Sequence, residues 1–178
     1  LQIFCVPIVA FVLWMTGLAC SGKTTISKEL NKIFPNMEVL DGDELYEWLA
    51  PLDMSKKARM AQTQRIAHIT KMLIKHDISV CISVQSPFEE SRAKAREIIN
   101  DDRYVLSYIK CPVEVCEKRD VKGLYKDAKK ENSKIILPGV TFSYDIPKDP
   151  DLVLETDKYS IPECIEKIKN YLIKNNLV

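Results

Sequence analysis

The chain has 178 residues, enough for one domain that buries roughly 70% of its unfolded surface. A formal net charge of +1 excludes a bulk nucleic-acid or membrane-surface binder and leaves small molecules as the expected partners. Six scattered cysteines (Cys5, Cys20, Cys81, Cys111, Cys116, Cys164) form no C-x-x-C pair and have no histidine cluster beside them. They exclude a zinc site or disulfide framework and read as reduced thiols in a cytoplasmic protein.

Leu1 to Met15 is almost wholly apolar. It is too short to cross a bilayer, which takes ~20 residues. It lacks a basic start and runs into the next motif without a cleavage site, so it does not read as a signal peptide. The expected element is a buried first strand, about Ala10 to Thr16, with residues 1–8 an extra N-terminal segment or a cloning remnant.

Gly17-Leu18-Ala19-Cys20-Ser21-Gly22-Lys23-Thr24 follows at once and reads G-x-x-x-x-G-K-T. Two glycines let the backbone curl around a phosphate chain so that consecutive N–H groups point inward. The helix opening near Gly22, with Ile26, Leu30, Ile33 and Phe34 in helical spacing, adds its positive N-terminal end. Lys23 is placed to reach the β- and γ-phosphates, and the Thr24 hydroxyl to ligate Mg²⁺. Thr25 extends the same ATP-binding wall. Strand, loop and helix in this order are the setting the motif requires. Cys20 has two readings, an oxidant sensor beside bound phosphate or a small loop filler.

Pro35-Asn36 turns the chain into a short second strand, Met37 to Leu40, ending in Asp41-Gly42-Asp43. Two carboxylates at a strand's C-terminal end lie where doubly wound sheets bind ligands, and their expected role is Mg²⁺ binding or general-base chemistry. Leu45 to Leu49 reads as a short helix, and Ser55 to Lys75 as a long amphipathic one with Ile66, Ile69, Met72 and Leu73 on one stripe. His68 and His76 have no partner in view and are assigned no chemistry. Ile78 to Val84 reads as a central strand buried on both faces. Gln85-Ser86-Pro87-Phe88 breaks it, a helix follows from Glu89 to Asn100, then a strand from Tyr104 to Ile109 and a helix from Val113 to Arg119.

Asp120 to Pro150 is rich in lysine and proline and poor in apolar residues able to anchor it; it reads as a mobile lid over phosphates. Asp151 to Glu155 is a last strand. Ser160-x-x-Glu163 is a capping box opening a final helix, Ile161 to Ile173. With no repeats and no linker, the alternation predicts a single α/β domain, 1–178, with a parallel sheet and helices on both faces.

With these blocks placed, the chain resembles the adenylylsulfate (APS) kinase family of P-loop kinases from about Val12 to Tyr171. The likeness rests on Thr16-Gly17-Leu18, Leu40-Asp41-Gly42-Asp43, Arg65-Ile66-Ala67-His68, Ser86-Pro87-Phe88, Asp151 to Leu154, Thr156-Asp157 and above all the run Cys111 to Lys126. The resemblance implies transfer of the ATP γ-phosphate to the 3′-hydroxyl of a nucleotide whose 5′-phosphate carries a mixed anhydride. It implies Asp43 at the acceptor hydroxyl, Asp41 helping to hold Mg²⁺, and Arg119 by the ATP base. Tyr46, Arg59, Gln62, the Ser86-Pro87-Phe88 turn, Lys122 and Leu124 would belong to the acceptor pocket. The enzyme would be monomeric or a homodimer.

Departures from the family pattern fall on the acceptor side. Tyr46 and Glu89 stand where the family has arginines, Met54 and Leu137 where it has aromatics, Ala58 where it has aspartate and Gln62 where it has asparagine. Loss of the two-sided aromatic grip and of two guanidiniums points away from APS. Phe142 and Tyr46 could stack from new directions, and Glu89 could accept hydrogen bonds from an amino-bearing group. The acceptor expected from these changes is cytidine diphosphoramidate, an intermediate of capsule decoration, with APS as the alternative. A GTPase would need an N-K-x-D guanine reader, and Asn31-Lys32 continues into Ile33-Phe34 instead. A catalytically dead nucleotide-binding module is disfavoured by Lys23, Thr24 and Asp43.

Overall fold

The computed structural model describes residues 9–48 and 55–178, with the side chains of 46–48 excepted. Residues 1–8 and Met54, and the side chain of Tyr46, therefore lie outside the described parts.

β1 (Val12–Thr16) is a continuous apolar strand, and its alternate residues serve two cores. Leu13 and Met15, with Phe11 before them, join a cluster containing Ile26, Leu30, Ile165 and Ile168. Val12 and Trp14 face the opposite way, into a cluster with Ile66, Ala67, Ala95 and Ile99. Full burial of each such side chain is worth about 1.5–3 kcal/mol, which is why a strand with no polar face settles in the middle of the sheet.

The helices of the first cluster are α1 (Lys23–Ile33) and α7 (Ile161–Lys174); those of the second are α3 (Lys56–Lys75) and α4 (Glu89–Ile99). Ser160 and Glu163 form the expected capping box on α7. Ser55 caps α3, its Oγ accepting from Ala58 N at 3.2 Å. The remaining elements are β2 (Glu38–Asp41), α2 (Gly42–Trp48), β3 (Val80–Ser83), β4 (Tyr104–Lys110), α5 (Val113–Arg119), α6 (Leu124–Ala128) and β5 (Leu152–Glu155).

The five strands pair in the order β2-β3-β1-β4-β5, all parallel. β3 is buried throughout, as expected, but the centre of the sheet is β1. The chain leaves β1 for one half of the sheet and later returns to the other side of it. Ligands bind outside the carboxyl ends of the strands at such a switch point.

The stretch 120–150 departs from expectation. It holds α6 and carries apolar anchors. Tyr125 is buried and donates its hydroxyl to Ala19 O at 2.9 Å, Leu137 is buried, and Tyr144 stacks on Tyr108 with ring centroids 6.2 Å apart. A few well-placed aromatic and aliphatic side chains hold a segment whose average composition is polar. No helix among the described residues is long and apolar enough to cross a membrane.

Candidate active site

The loop from Gly17 to Gly22 lies over the carboxyl end of β1, and its shape is enforced by close contacts. A Cβ on Gly17 would stand 2.5 Å from the carbonyl oxygen of Ile109. Gly22 caps α1 with φ 103°, a left-handed conformation that suits glycine. Thr156, just past β5, pins the loop by donating its hydroxyl to Ser21 O at 2.7 Å. Arg119 closes the same corner, donating to Thr156 O at 2.5 Å and Oγ1 at 3.3 Å.

Lys23 is buried in the curl of the loop. Its Nζ donates to Gly17 O at 3.0 Å, Leu18 O at 2.6 Å and Ser21 Oγ at 3.3 Å. Burial pushes its pKa down to about 8, a fall partly opposed by Asp41 and Asp43 nearby. Burial likewise pushes the Cys20 thiol up.

Asp41 ends β2, and its carboxylate is shared. Oδ2 accepts from Thr24 Oγ1 at 2.8 Å, and Oδ1 accepts from the backbone N–H of Asp43 at 2.9 Å, at the start of α2. Hydroxyl and carboxylate oxygens side by side are the hard donors a Mg²⁺ ion accepts while keeping several waters. Among the described residues no cluster of three or more His, Cys, Asp or Glu could hold a metal ion. Asp43 is exposed on the cleft wall, in an ion pair with Lys122.

These groups share one cleft of about 1090 Å³. At one end are Ala19, Cys20, Gly22, Thr24 and Thr25 with Arg119. At the other are Arg59, Gln62, Ser86 and Pro87, while Leu124 and Leu137 line the cleft from the apolar cluster that also holds Ala19 and Cys20. Gly17 and Ser21 lie behind the loop and shape it from below. Phe88 stacks on Phe142 (5.6 Å between centroids), with Arg59 5.5 Å over the Phe142 ring and donating to Ile136 O at 2.6 Å.

Glu89 does not face the cleft as an acceptor for an amino group. Its carboxylate is engaged by Arg92 at 2.5 Å, because α4 begins there and places the two residues one turn apart. Arg92 and Tyr144 are site-shaping residues that sequence reasoning did not single out, and Thr156 and Tyr125 stood only within the family-like blocks, with no role assigned. Thr156 had a signal, its position beside Asp157 just past the last strand; a lone arginine in a charged helix had none.

A G-x-x-x-x-G-K-T loop between the central parallel strand and a helix, with a hydroxyl–carboxylate pair joining that helix to the end of β2, defines a P-loop kinase. The adenylylsulphate kinase family model matches residues 9–155. The chain is 37% identical over 166 residues to a probable adenylyl-sulfate kinase of Halalkalibacterium halodurans, covering 90% of this chain and 82% of that one. It is 38% identical over 168 residues to the adenylyl-sulfate kinase of Thermodesulfovibrio yellowstonii, covering 92% and 84%. The Mycobacterium tuberculosis APS kinase solved in complex with AMPPNP and APS superposes with a TM-score of 0.82 at 32% identity, covering 93% of this chain and 99% of that one. The chain belongs to the adenylylsulphate kinase family, and it is a kinase.

Proposed function

We propose that the protein transfers the γ-phosphate of ATP to the 3′-hydroxyl of a nucleotide bearing a mixed anhydride on its 5′-phosphate, and that the acceptor its relatives favour is adenylylsulfate. One observation carries this reading. Lys23, the Thr24–Asp41 pair and Asp43 line a single cleft whose far end is built by Arg59, Gln62, Ser86 and Pro87.

The geometry supports the following roles. Lys23 exchanges its loop carbonyls for phosphate oxygens and sets its charge against the transferring group. Thr24 and Asp41 would hold Mg²⁺, which supplies neutralisation of the β- and γ-phosphate oxygens when bound. Asp43 orients the acceptor hydroxyl and takes its proton as the new O–P bond forms and the bond to the leaving ADP oxygen breaks. Lys122 and the segment that follows it close over the phosphates and exclude water. Arg119 holds the ATP-base end. The enzyme works as a monomer or homodimer, and its scattered cysteines keep the cytoplasm as its expected compartment.

Cytidine diphosphoramidate is the second reading. Leu137, on the cleft wall where the family carries an aromatic residue, speaks for a different base. Engagement of Glu89 by Arg92 withdraws the argument from an amino-bearing group, and the relatives lend this acceptor no support. The test is kcat/KM with ATP on both acceptors side by side. A preference for adenylylsulfate of about tenfold or more, some 1.4 kcal/mol in transition-state binding, establishes the first reading; the reverse establishes the second. No turnover of either would leave a nucleotide-binding module.

A further inference from the structure

Arg92 is almost wholly buried, at 2% exposure, yet its guanidinium serves two distant pieces of the chain at once. Nη1 donates to Ser86 O at 2.6 Å. Nη2 donates to Glu89 Oε2 at 2.5 Å and to Asp145 O at 2.5 Å. The same two pieces are tied again through the backbone. Asp145 N donates to Pro87 O at 2.9 Å, and Glu89 N to Asp145 Oδ2 at 3.1 Å.

The latch reaches the phosphate loop as well. The guanidinium lies 5.6 Å over the ring of Tyr144, whose hydroxyl bonds Thr16 Oγ1 at 2.8 Å, one residue before Gly17. Ser86 itself is held at φ 39°, unusual for a residue with a Cβ, and its Oγ accepts from the buried indole of Trp14 at 3.0 Å. An ion pair with one partner buried is a poor device for stability, since apolar side chains of similar volume often do as well. A strained turn held by a charge from behind is a device for placing what lies in front of it, here Ser86 and Pro87 on the cleft wall.

We propose that Glu89 and Arg92 are positioning residues for the acceptor nucleotide. They clamp the Ser86-Pro87-Phe88 turn to residues 144–145, so that the acceptor end of the cleft is assembled before ATP arrives. This rests on reading that end of the cleft as the acceptor site. It divides the stretch 120–150 by function: its end is fixed wall, and only the part before it opens.

The test uses the full chain as Glu89→Gln and Arg92→Lys, with adenylylsulfate and cytidine diphosphoramidate each as acceptor. Both variants should unfold cooperatively and keep the ATP KM within about twofold, while the acceptor KM rises about tenfold or more, as expected for a lost bond to a charged group. The Trp14 indole N–H resonance, assigned with Trp14→Phe, should shift in both, a signature that general loosening elsewhere would not produce. Should Arg92→Lys fail to fold, Glu89→Gln, whose side chain is partly exposed, decides alone. An unchanged acceptor KM, or ATP and acceptor KM rising together, overturns the clamp. In the wild type, failure of both acceptors to move the amides of Ser86 and Phe88 overturns the acceptor reading and the clamp with it. Movement of those amides with wild-type acceptor binding in both variants overturns the clamp alone.

Discussion

Lys122 forms an ion pair with Asp43, a residue 79 positions earlier in the chain, on the wall of the phosphate cleft. Both side chains are more than half exposed, so the pair contributes little to folding, on the order of 0–1 kcal/mol. Its significance lies in where it holds the two groups. Asp43→Asn should lower kcat by ~10²–10⁴ while the ATP KM stays close to wild type. Lys122→Ala should leave the melting temperature unchanged and lower turnover. Steady-state kinetics and thermal melts on the two variants check this; a stable, fully active Asp43→Asn enzyme would remove Asp43 from the reaction.

Lys23 should couple ATP binding to proton uptake. Its pKa of about 8 in the free enzyme lies below its value of ~10.4 in an unfolded chain. Between those values the unfolded chain holds the extra proton, so this group alone makes stability rise with pH across that window. A phosphate chain beside Nζ favours the charged form and raises the pKa. ATP affinity should therefore fall as pH climbs past about 8, and binding near pH 8.5 should take up a fraction of a proton. Isothermal titration in buffers of different ionisation enthalpy reads the proton count; zero uptake across that range contradicts the account. Lys23→Ala should lose ~10³–10⁵ in turnover with the fold intact.

The stretch 120–150 should not exchange as one unit. Residues 129–136 lie outside any helix or strand and are mostly exposed, whereas α6 is anchored by Tyr125 and residues 144–145 by Arg92. Amide exchange in the free protein should be fast at 129–136 and slow around 125 and 144, with protection spreading to 129–136 only when both nucleotides are bound. Uniform protection before ligand is added would mean that this segment does not open.

The phosphate loop should respond oppositely to two small substitutions. Gly17→Ala drives a Cβ into the Ile109 carbonyl, with no flexible neighbour to give way, and should cost about 1–3 kcal/mol and most of the ATP affinity. Cys20 sits at φ 58° with an ordinary side chain, a strain of ~1–2 kcal/mol that glycine would not carry. Cys20→Gly should keep ATP affinity and melt at or above the wild-type temperature. A calorimetric melt with and without ATP distinguishes these outcomes.

The element order outside 120–150, the parallel sheet and the phosphate loop were legible in the sequence, because each is written in a few adjacent residues; α6 was not. The unbroken apolar run Val12–Thr16, the glycine spacing of the loop, and Ser160 three residues before Glu163 carry their own local physics. The helix Lys56–Lys75 was legible but its buried face was not: of the expected stripe Ile66 is buried while Met72 is exposed, and Ala67, Thr70 and Ile74 face the core instead. Thr24 and Asp41, each expected at the Mg²⁺ from different motifs, share a hydrogen bond in the structure.

What tertiary structure alone decided is which charges are buried and what they hold. Nothing near Arg92 separates it from Lys94 or Arg96 on the same helix. Only packing of α4 against the sheet turns Arg92 inward and leaves Arg96 half exposed, paired with Asp151. The same packing spends Glu89 on Arg92 rather than on a ligand. A few aromatic anchors, Tyr125 and Tyr144, dock a stretch whose composition reads as free. Contacts between Thr16, Ser86 and Tyr144 join residues up to 128 positions apart. They exist because parallel crossovers bring the carboxyl ends of β1 and β3 side by side, a relation no local window of sequence contains.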